Sequence, residues 1–253
     1  MRVRVCTALS ALLLVSCGPT EADKKVLSDA YVSYASRDFA GTENLAGTYI
    51  QKEPTAENVD EAFYLRGLAR YGRGDRAGAA ADLQKAIEHT KRADLKCKAY
   101  MTLGDIAFDE GKWDEAAANY QKALGAGVAA GTVEPRMEFR LGVALQAIGQ
   151  WDHARPHLAI AAASKDAALA QRARERLEAA AFTLQFGAFT QGARAGELQR
   201  RLKAAGIVAS ANSEMHNGQV VFVVRAGNYT TLADAELARR KLAAKWPGVV
   251  VIP

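Results

Sequence analysis

The chain has 253 residues, and its content of 49% hydrophobic and 24% charged residues is that of an ordinary globular protein with one large or two small domains. Its net charge of +5 comes from the C-terminal part: from Phe182 onward there are nine Lys and Arg against four Asp and Glu, while residues 1–181 hold 24 of each. This distribution argues against a basic partner for the C-terminal part and favours an anionic or polar one. Two solvated basic helix faces would explain the same count.

The first residues predict an export signal. Arg2 and Arg4 precede a mostly apolar stretch, residues 5–15, that is too short to span a bilayer. The signal ends in Leu14-Val15-Ser16-Cys17, which resembles the lipobox of bacterial lipoproteins. The resemblance implies that residues 1–17 are signal peptide and lipobox and that Cys17 is lipidated. Gly18 after it suggests the outer membrane, facing the periplasm. The alternative is a secreted protein without the lipid.

Cysteine usage agrees with export. If Cys6 leaves with the signal and Cys17 is acylated, Cys97 stands alone, so no disulfide within the chain is expected despite an oxidising compartment. Cys97 lies in a predicted helix and is interpreted as a small buried apolar residue. A short linker, residues 18–26, is expected to keep the next domain close to the membrane.

Residues 27–161 carry a periodicity of 37 to 38 residues. Four sets of small residues and one set of large residues recur at this spacing: Gly67, Gly104 and Gly142; Gly74, Gly111 and Gly149; Ala79, Ala116 and Ala154; Ala86, Ala123 and Ala161; and Leu83, Tyr120 and Leu158. Small residues let two antiparallel helices approach closely, and the large residue fills the next gap. The pattern resembles tetratricopeptide (TPR) repeats, and it is matched best at Tyr100, Leu103-Gly104, Ala116 and Tyr120.

The TPR resemblance predicts an all-α solenoid over residues 27–181, with three clear repeats, one degenerate first repeat and a closing helix over residues 166–180. TPR solenoids usually hold another protein or peptide. The resemblance therefore implies a protein partner, which the sequence does not name. A purely structural spacer is the alternative.

The turns within the predicted helix pairs have a glycine signature. Gly74, Gly111 and Gly149 are expected there, because a left-handed backbone costs little only for glycine. The degenerate repeat has Arg37 at this place. Separately, Asp114 and Asp152 are expected to cap the helices that follow two of these turns.

The last seventy or so residues contain one strand-turn-helix unit twice, forty residues apart. Gly187-Ala188-Phe189 recurs as Gly227-Asn228-Tyr229, and Ala195, Leu198 and Leu202 recur as Ala235, Ala238 and Leu242. The apolar runs and a turn at Asn217-Gly218 predict the order βαββαβ over residues 182–253. Strands are expected at 183–187, 207–212, 219–225 and 249–252, and helices at 193–205 and 232–245. This order gives a four-stranded sheet with both helices on one face and the other face open, so the whole chain is predicted to be α+β.

Two motifs in this region carry a second resemblance. Leu184-Gln185-Phe186-Gly187-Ala188-Phe189 and Val224-Arg225-Ala226-Gly227-Asn228-Tyr229 resemble the start and the later strand of the SPOR domain family. The resemblance implies binding of bacterial peptidoglycan, with a preference for denuded glycan strands, which have lost their stem peptides and accumulate at the dividing septum. A role in cell division is implied by this resemblance alone.

Strand alternation selects the residues that could touch sugar. In the first strand Leu184 and Phe186 fill the core, and in the later strand Phe222 and Val224 do, so the residues between them face the open side. The predicted glycan-binding set is Gln185, Gly187, Val221, Val223 and Arg225. We expect Arg225 to pair with a lactyl carboxylate that a denuded strand exposes on muramic acid. Solvated surface residues are the alternative interpretation of Gln185 and Arg225.

Other function classes are weaker. An RNA-recognition motif shares the strand order, but it needs outward aromatic residues where this chain has Gly187 and Val223, and export would separate the protein from RNA. His153 and His157 are spaced for one helix face, but without a third ligand they are interpreted as two surface histidines and no metal site is predicted. No catalytic motif and no cofactor site is predicted, so the chain is not expected to be an enzyme.

The remaining alternative is an adaptor of the envelope whose TPR repeats do the main work, with the SPOR domain only localising it. About two residues separate the closing helix from the first strand. We therefore expect the two domains to pack closely or move nearly as a unit.

Overall fold

The computed structural model describes residues 20–126, 134–216 and 218–253. The predicted signal peptide, the lipidation site Cys17, Gly18 and Asn217 lie outside the described residues. The chain divides into two compact units, one up to His89 and one from Thr90 to Pro253. None of the helices in the described ranges is both long and apolar enough to cross a membrane.

The first unit consists of two helix pairs. Its helices are α1 (Glu21–Ala35), α2 (Phe39–Lys52), α3 (Val59–Gly72) and α4 (Arg76–His89). Residues 21–26 of the predicted linker belong to α1, because this helix already begins at Glu21. The side chain of Thr20 accepts from the Asp23 amide at 3.3 Å, while Asp23 accepts from the Thr20 amide at 3.2 Å. This reciprocal cap satisfies two amides and starts the helix early.

The second unit begins with two further helix pairs and a closing helix. These are α5 (Ala93–Asp109), α6 (Trp113–Gly125), α7 (Pro135–Ala147), α8 (Trp151–Ala162) and α9 (Ala167–Glu178). The predicted closing helix is confirmed, and Asp166 caps it by accepting from the Ala168 and Leu169 amides.

Close approach of paired helices explains the repeated small and large positions. A Cβ added at Gly104 would lie 2.5 Å from the Tyr120 ring, and one at Gly142 would lie 2.6 Å from Leu158. A larger residue at either glycine would separate the two helices of its pair, so the period of the sequence is the period of this packing. Together with the sheet described below, this TPR-type repeat gives the predicted α+β fold.

The turn within each helix pair requires a left-handed residue. Gly74, Gly111 and Gly149 have φ of 87°, 70° and 83°, as expected. Arg37 has φ 63° in the corresponding turn of the first pair, where a side chain is strained.

The predicted caps Asp114 and Asp152 are wrong by two positions. The N-cap residues of α6 and α8 are Lys112 and Gln150, and neither makes a side-chain cap bond. The helices begin at the preceding tryptophans, so each aspartate lies in the first turn, where its charge complements the helix dipole.

The second unit ends in an antiparallel four-stranded sheet with two helices. Its elements are β1 (Phe182–Phe189), α10 (Gly192–Ala204), β2 (Ala209–His216), β3 (Gln219–Tyr229), α11 (Leu232–Ala243) and β4 (Val250–Ile252). The order across the sheet is β2-β3-β1-β4. His216 pairs with Gln219 beside the predicted turn, and Gly218 has φ 77°. Both β2 and β3 run four residues further than the sequence predicted.

The sheet packs on the helices within the second unit, as the short join predicted. Trp151 at the start of α8 donates from Nε1 to the Thr230 carbonyl at 2.8 Å, and its ring lies 5.1 Å from the Phe182 ring. A Cβ at Gly149 would lie 3.1 Å from Thr230. The division between the two compact units, at His89 and Thr90, lies inside the predicted helical domain.

Candidate functional site on the open sheet face

The two faces of the sheet differ in what covers them. One face packs on α10 through a core cluster of Ala195, Leu202 and Val224, joined by partly buried residues that include Phe186, Leu198, Ala209, Ala211 and Phe222. The open face, on the other side, carries the residues that alternate with these: Gln185, Ala188, Ser210, Asn212, Glu214, Val221, Val223, Arg225 and Val250.

The prediction that Gly187 belongs to the open face is wrong. Gln185 pairs with Arg225 and Gly187 pairs with Val224, so Phe186 is an extra residue that forms a β-bulge. A Cβ at Gly187 would lie 3.2 Å from Leu198 on α10. The bulge thus turns Gly187 toward the helices.

Ala188 takes the place on the open face that the sequence assigned to Gly187. It pairs with Val223 and is exposed. Its small side chain leaves the edge of the face accessible beside Gln185.

Arg225 is the centre of a polar network that crosses three strands. Its guanidinium donates to both carboxylate oxygens of Glu214 on β2, at 2.9 Å for the Nη2 to Oε2 bond. Its Nε donates to Gln185 Oε1 on β1 at 3.3 Å. A guanidinium held on both sides in this way is oriented before any ligand arrives.

This network also covers Val223. Arg225 is paired across the ladder with Ser210, Val223 with Asn212, and Val221 with Glu214. The ion pair between Arg225 and Glu214 therefore crosses the sheet face above Val223. Val223 is only 2% exposed. Val223, which was predicted to touch sugar, is thus buried in this structure, while Val221 is half-buried at the edge of the network.

Glu214 is the site residue that the sequence analysis missed. The side chains of Arg225 and Glu214 are 29% and 31% exposed, so solvent and ligands reach both. The predicted strand ended at residue 212, which left Glu214 between that strand and the predicted turn. The polar alternation of Ser210, Asn212 and Glu214 was the available signal for an open face on β2.

The face can bind a polar chain by hydrogen bonds and charge. It offers the Gln185 amide and the Arg225 guanidinium as donors, with Val250 on the adjacent strand 48% exposed as an apolar contact. A ligand carboxylate would have to replace Glu214 as the partner of Arg225. The face therefore suits an extended ligand with repeated hydroxyl, amide and carboxylate groups.

His153 and His157 are not an equivalent pair of surface residues. His153 is exposed, but His157 Nδ1 lies 2.6 Å from the Oε2 of Glu138, whose side chain is 3% exposed. This contact joins α8 to α7 and gives His157 a packing role. Within the described ranges, no group of three or more metal-ligating side chains is assembled.

Comparison with protein families identifies two regions of the chain. Residues 178–253 match the family model of the SPOR domain, and residues 6–102 match a family described as outer membrane lipoprotein. Neither is an enzyme family. No curated protein matches the chain.

Solved structures similar to the chain include two described as TPR proteins and the MamA protein. The TPR domain of Sgt2 from Aspergillus fumigatus has 20% identity and a TM-score of 0.45, covering 55% of this chain and 86% of that one. The MamA protein has 15% identity and a TM-score of 0.49, covering 92% and 99%. TTC0263, a thermophilic TPR protein in Thermus thermophilus, has 18% identity and a TM-score of 0.41, covering 61% and 79%. All three TM-scores are below 0.5.

Proposed function

We propose that this chain, whose residues 178–253 form a SPOR domain, is a non-catalytic envelope lipoprotein that binds peptidoglycan. The SPOR domain holds glycan strands on its open face, and the helical repeats hold a protein partner. The observation that supports the proposal most directly is the preoriented Arg225 network on the sheet face opposite the one that packs on α10.

The proposed ligand is a denuded glycan strand. Loss of the stem peptide leaves a lactyl carboxylate on each muramic acid, and this group replaces Glu214 on the guanidinium of Arg225. The Gln185 amide then bonds sugar hydroxyl or N-acetyl groups, and Val221 lies against the strand. A strand with intact stem peptides lacks the free carboxylate, so it gains less from Arg225.

The proposed location is the periplasmic side of the outer membrane, at the division septum, with the lipid on Cys17. The match of residues 6–102 to an outer membrane lipoprotein family supports the membrane assignment. The septal assignment follows from the ligand, since denuded strands accumulate where the septal wall is split.

Co-sedimentation of the detergent-solubilised full chain with purified sacculi tests the proposal. Amidase treatment of the sacculi should increase the bound fraction, and Arg225→Ala should abolish most of the increase. Arg200→Ala, an exposed change on α10, is the matched control that should bind as the unaltered protein does. Equal binding by the Arg225→Ala and control variants would refute the role of Arg225.

A further inference from the structure

A cleft in the second unit has no role in the sheet site. It has a volume of about 420 Å³ and lies where α5, α6, α7 and α9 meet, with Pro253 at one edge. Its apolar wall consists of Phe108, Trp113, Phe139 and Val143. The cleft lies outside the open face.

The aromatic wall is ordered by its own contacts. The rings of Phe108 and Trp113 meet edge to face with centroids 5.1 Å apart. Phe139 lies under the guanidinium of Arg172, whose Cζ is 4.7 Å from the ring centroid. Rings fixed in this way present a preformed surface on which an aromatic or apolar side chain can pack.

The polar wall carries two arginines and one glutamate. Arg172 and Arg176 both line the cleft, and neither forms an ion pair among residues 20–126, 134–216 and 218–253. Burial, followed by the charge of Arg172, lowers the pKa of Arg176. Glu175 also lines the cleft, and its carboxylate accepts from the Gln171 amide at 3.1 Å.

Two neighbouring guanidinium groups beside an aromatic wall complement one class of ligand. The Arg176 Nη1 reaches only the neutral Gln146 Oε1, at 3.3 Å, so a carboxylate brought to the cleft would gain charge-assisted bonds without displacing an ion pair. The same ligand would reduce the repulsion between the two arginines.

We propose that this cleft binds a protein segment in which an aromatic side chain adjoins one or two carboxylates. The aromatic ring packs against Phe108 and Trp113, beside the guanidinium that covers Phe139, and the carboxylates bond to Arg172 and Arg176. This inference rests on the proposed role of the helical repeats in holding a protein partner, and it assigns that partner a chemistry and a place.

Selection from a random octapeptide library displayed on phage, with the detergent-solubilised full chain as bait, tests the inference. Enriched peptides should carry Asp or Glu next to Phe, Tyr or Trp. One enriched octapeptide, made synthetically, should bind Arg172→Gln at least tenfold more weakly than the unaltered chain, and its affinity should fall as salt rises.

Matched variants make the result decisive. Arg174→Gln, on the same helix but outside the cleft, should leave peptide binding unchanged. Arg172 is exposed, so its replacement tests the charge without the folding risk of changing the more buried Arg176. Enrichment of peptides without acidic residues, no enrichment, or equal binding by Arg172→Gln would overturn the inference.

Two further measurements separate the possible failures. In sedimentation velocity, Arg172→Gln should leave the oligomeric state of the full chain unchanged. A dimer that this variant abolishes would assign the cleft to a second copy of the chain and overturn the inference. Binding of the same samples to amidase-treated sacculi reports on the SPOR domain alone. Retained sacculus binding without peptide enrichment would therefore overturn only the proposal for the cleft.

Discussion

Replacement of Glu214 by Gln should strengthen binding of denuded glycan. The carboxylate of Glu214 forms an ion pair with the guanidinium of Arg225, and the side chains of Arg225 and Glu214 are 29% and 31% exposed. An ion pair at this exposure contributes about 0.2–1 kcal/mol, which a ligand carboxylate must offset when it replaces Glu214. Removing the competing charge should therefore raise affinity by roughly 1.5- to 5-fold.

A double-mutant cycle shows whether this gain passes through Arg225. Arg225→Ala alone should lower affinity by about 1.5–3 kcal/mol, or roughly 10- to 150-fold. Glu214→Gln should add nothing in the Arg225→Ala background, because the competing charge then has no guanidinium to occupy.

Fluorescence anisotropy with a labelled denuded glycan oligosaccharide measures all four proteins. Weaker binding by Glu214→Gln would refute the reasoning, since it would mean that Glu214 contacts the sugar or is needed to orient Arg225. A gain that persists without Arg225 would also contradict it.

The packing leads to four stability predictions. Arg37→Gly should stabilise the first unit by up to about 1 kcal/mol, because its φ of 63° strains a side chain; a lower denaturation midpoint would contradict this. Gly142→Ala should destabilise by about 1–3 kcal/mol, since the added Cβ would lie 2.6 Å from the paired helix's leucine. Gly196→Ala should stabilise the protein by about 0.5–1 kcal/mol, because a Cβ built at Gly196 would point into open space. Urea titrations measure both glycine variants, and a stability change of opposite sign would refute the prediction for that variant. Trp151→Phe removes the 2.8 Å hydrogen bond to the Thr230 carbonyl, so it should lower the free energy of unfolding by about 0.5–1.5 kcal/mol. Proteolysis between α9 and β1 should then become faster. An unchanged rate would argue against this contact.

The helical repeats were predictable because each rests on local rules. Glycine at the close approach, a large residue opposite it and a left-handed turn recur with one period, as Gly104, Tyr120 and Gly111 illustrate. The helix starts were less predictable. Asp114 was expected as a cap, but the tryptophan before it already belongs to the helix.

The site was predictable only as far as strand alternation holds. Gln185 and Arg225 lie where alternation places them, and they contact each other. Alternation failed at Gly187, because the sequence does not show where a bulge inserts a residue. Glu214 was missed because the ladder with β3 extends β2 through residues that are too polar to be recognised as a strand.

The contact that joins the sheet to the helices was not predictable from the order of elements. The sequence separates helices from sheet near residue 181, whereas the contacts join the sheet to α8 through Trp151. A single aromatic residue at a helix start gives little indication of such a partner.

Co-sedimentation of the full chain with sacculi before and after amidase digestion tests the central claim most directly. If the open face binds denuded glycan through Arg225, the bound fraction rises after digestion and the rise is lost in Arg225→Ala. Absence of binding to sacculi in either state, or binding that digestion lowers, would contradict the account.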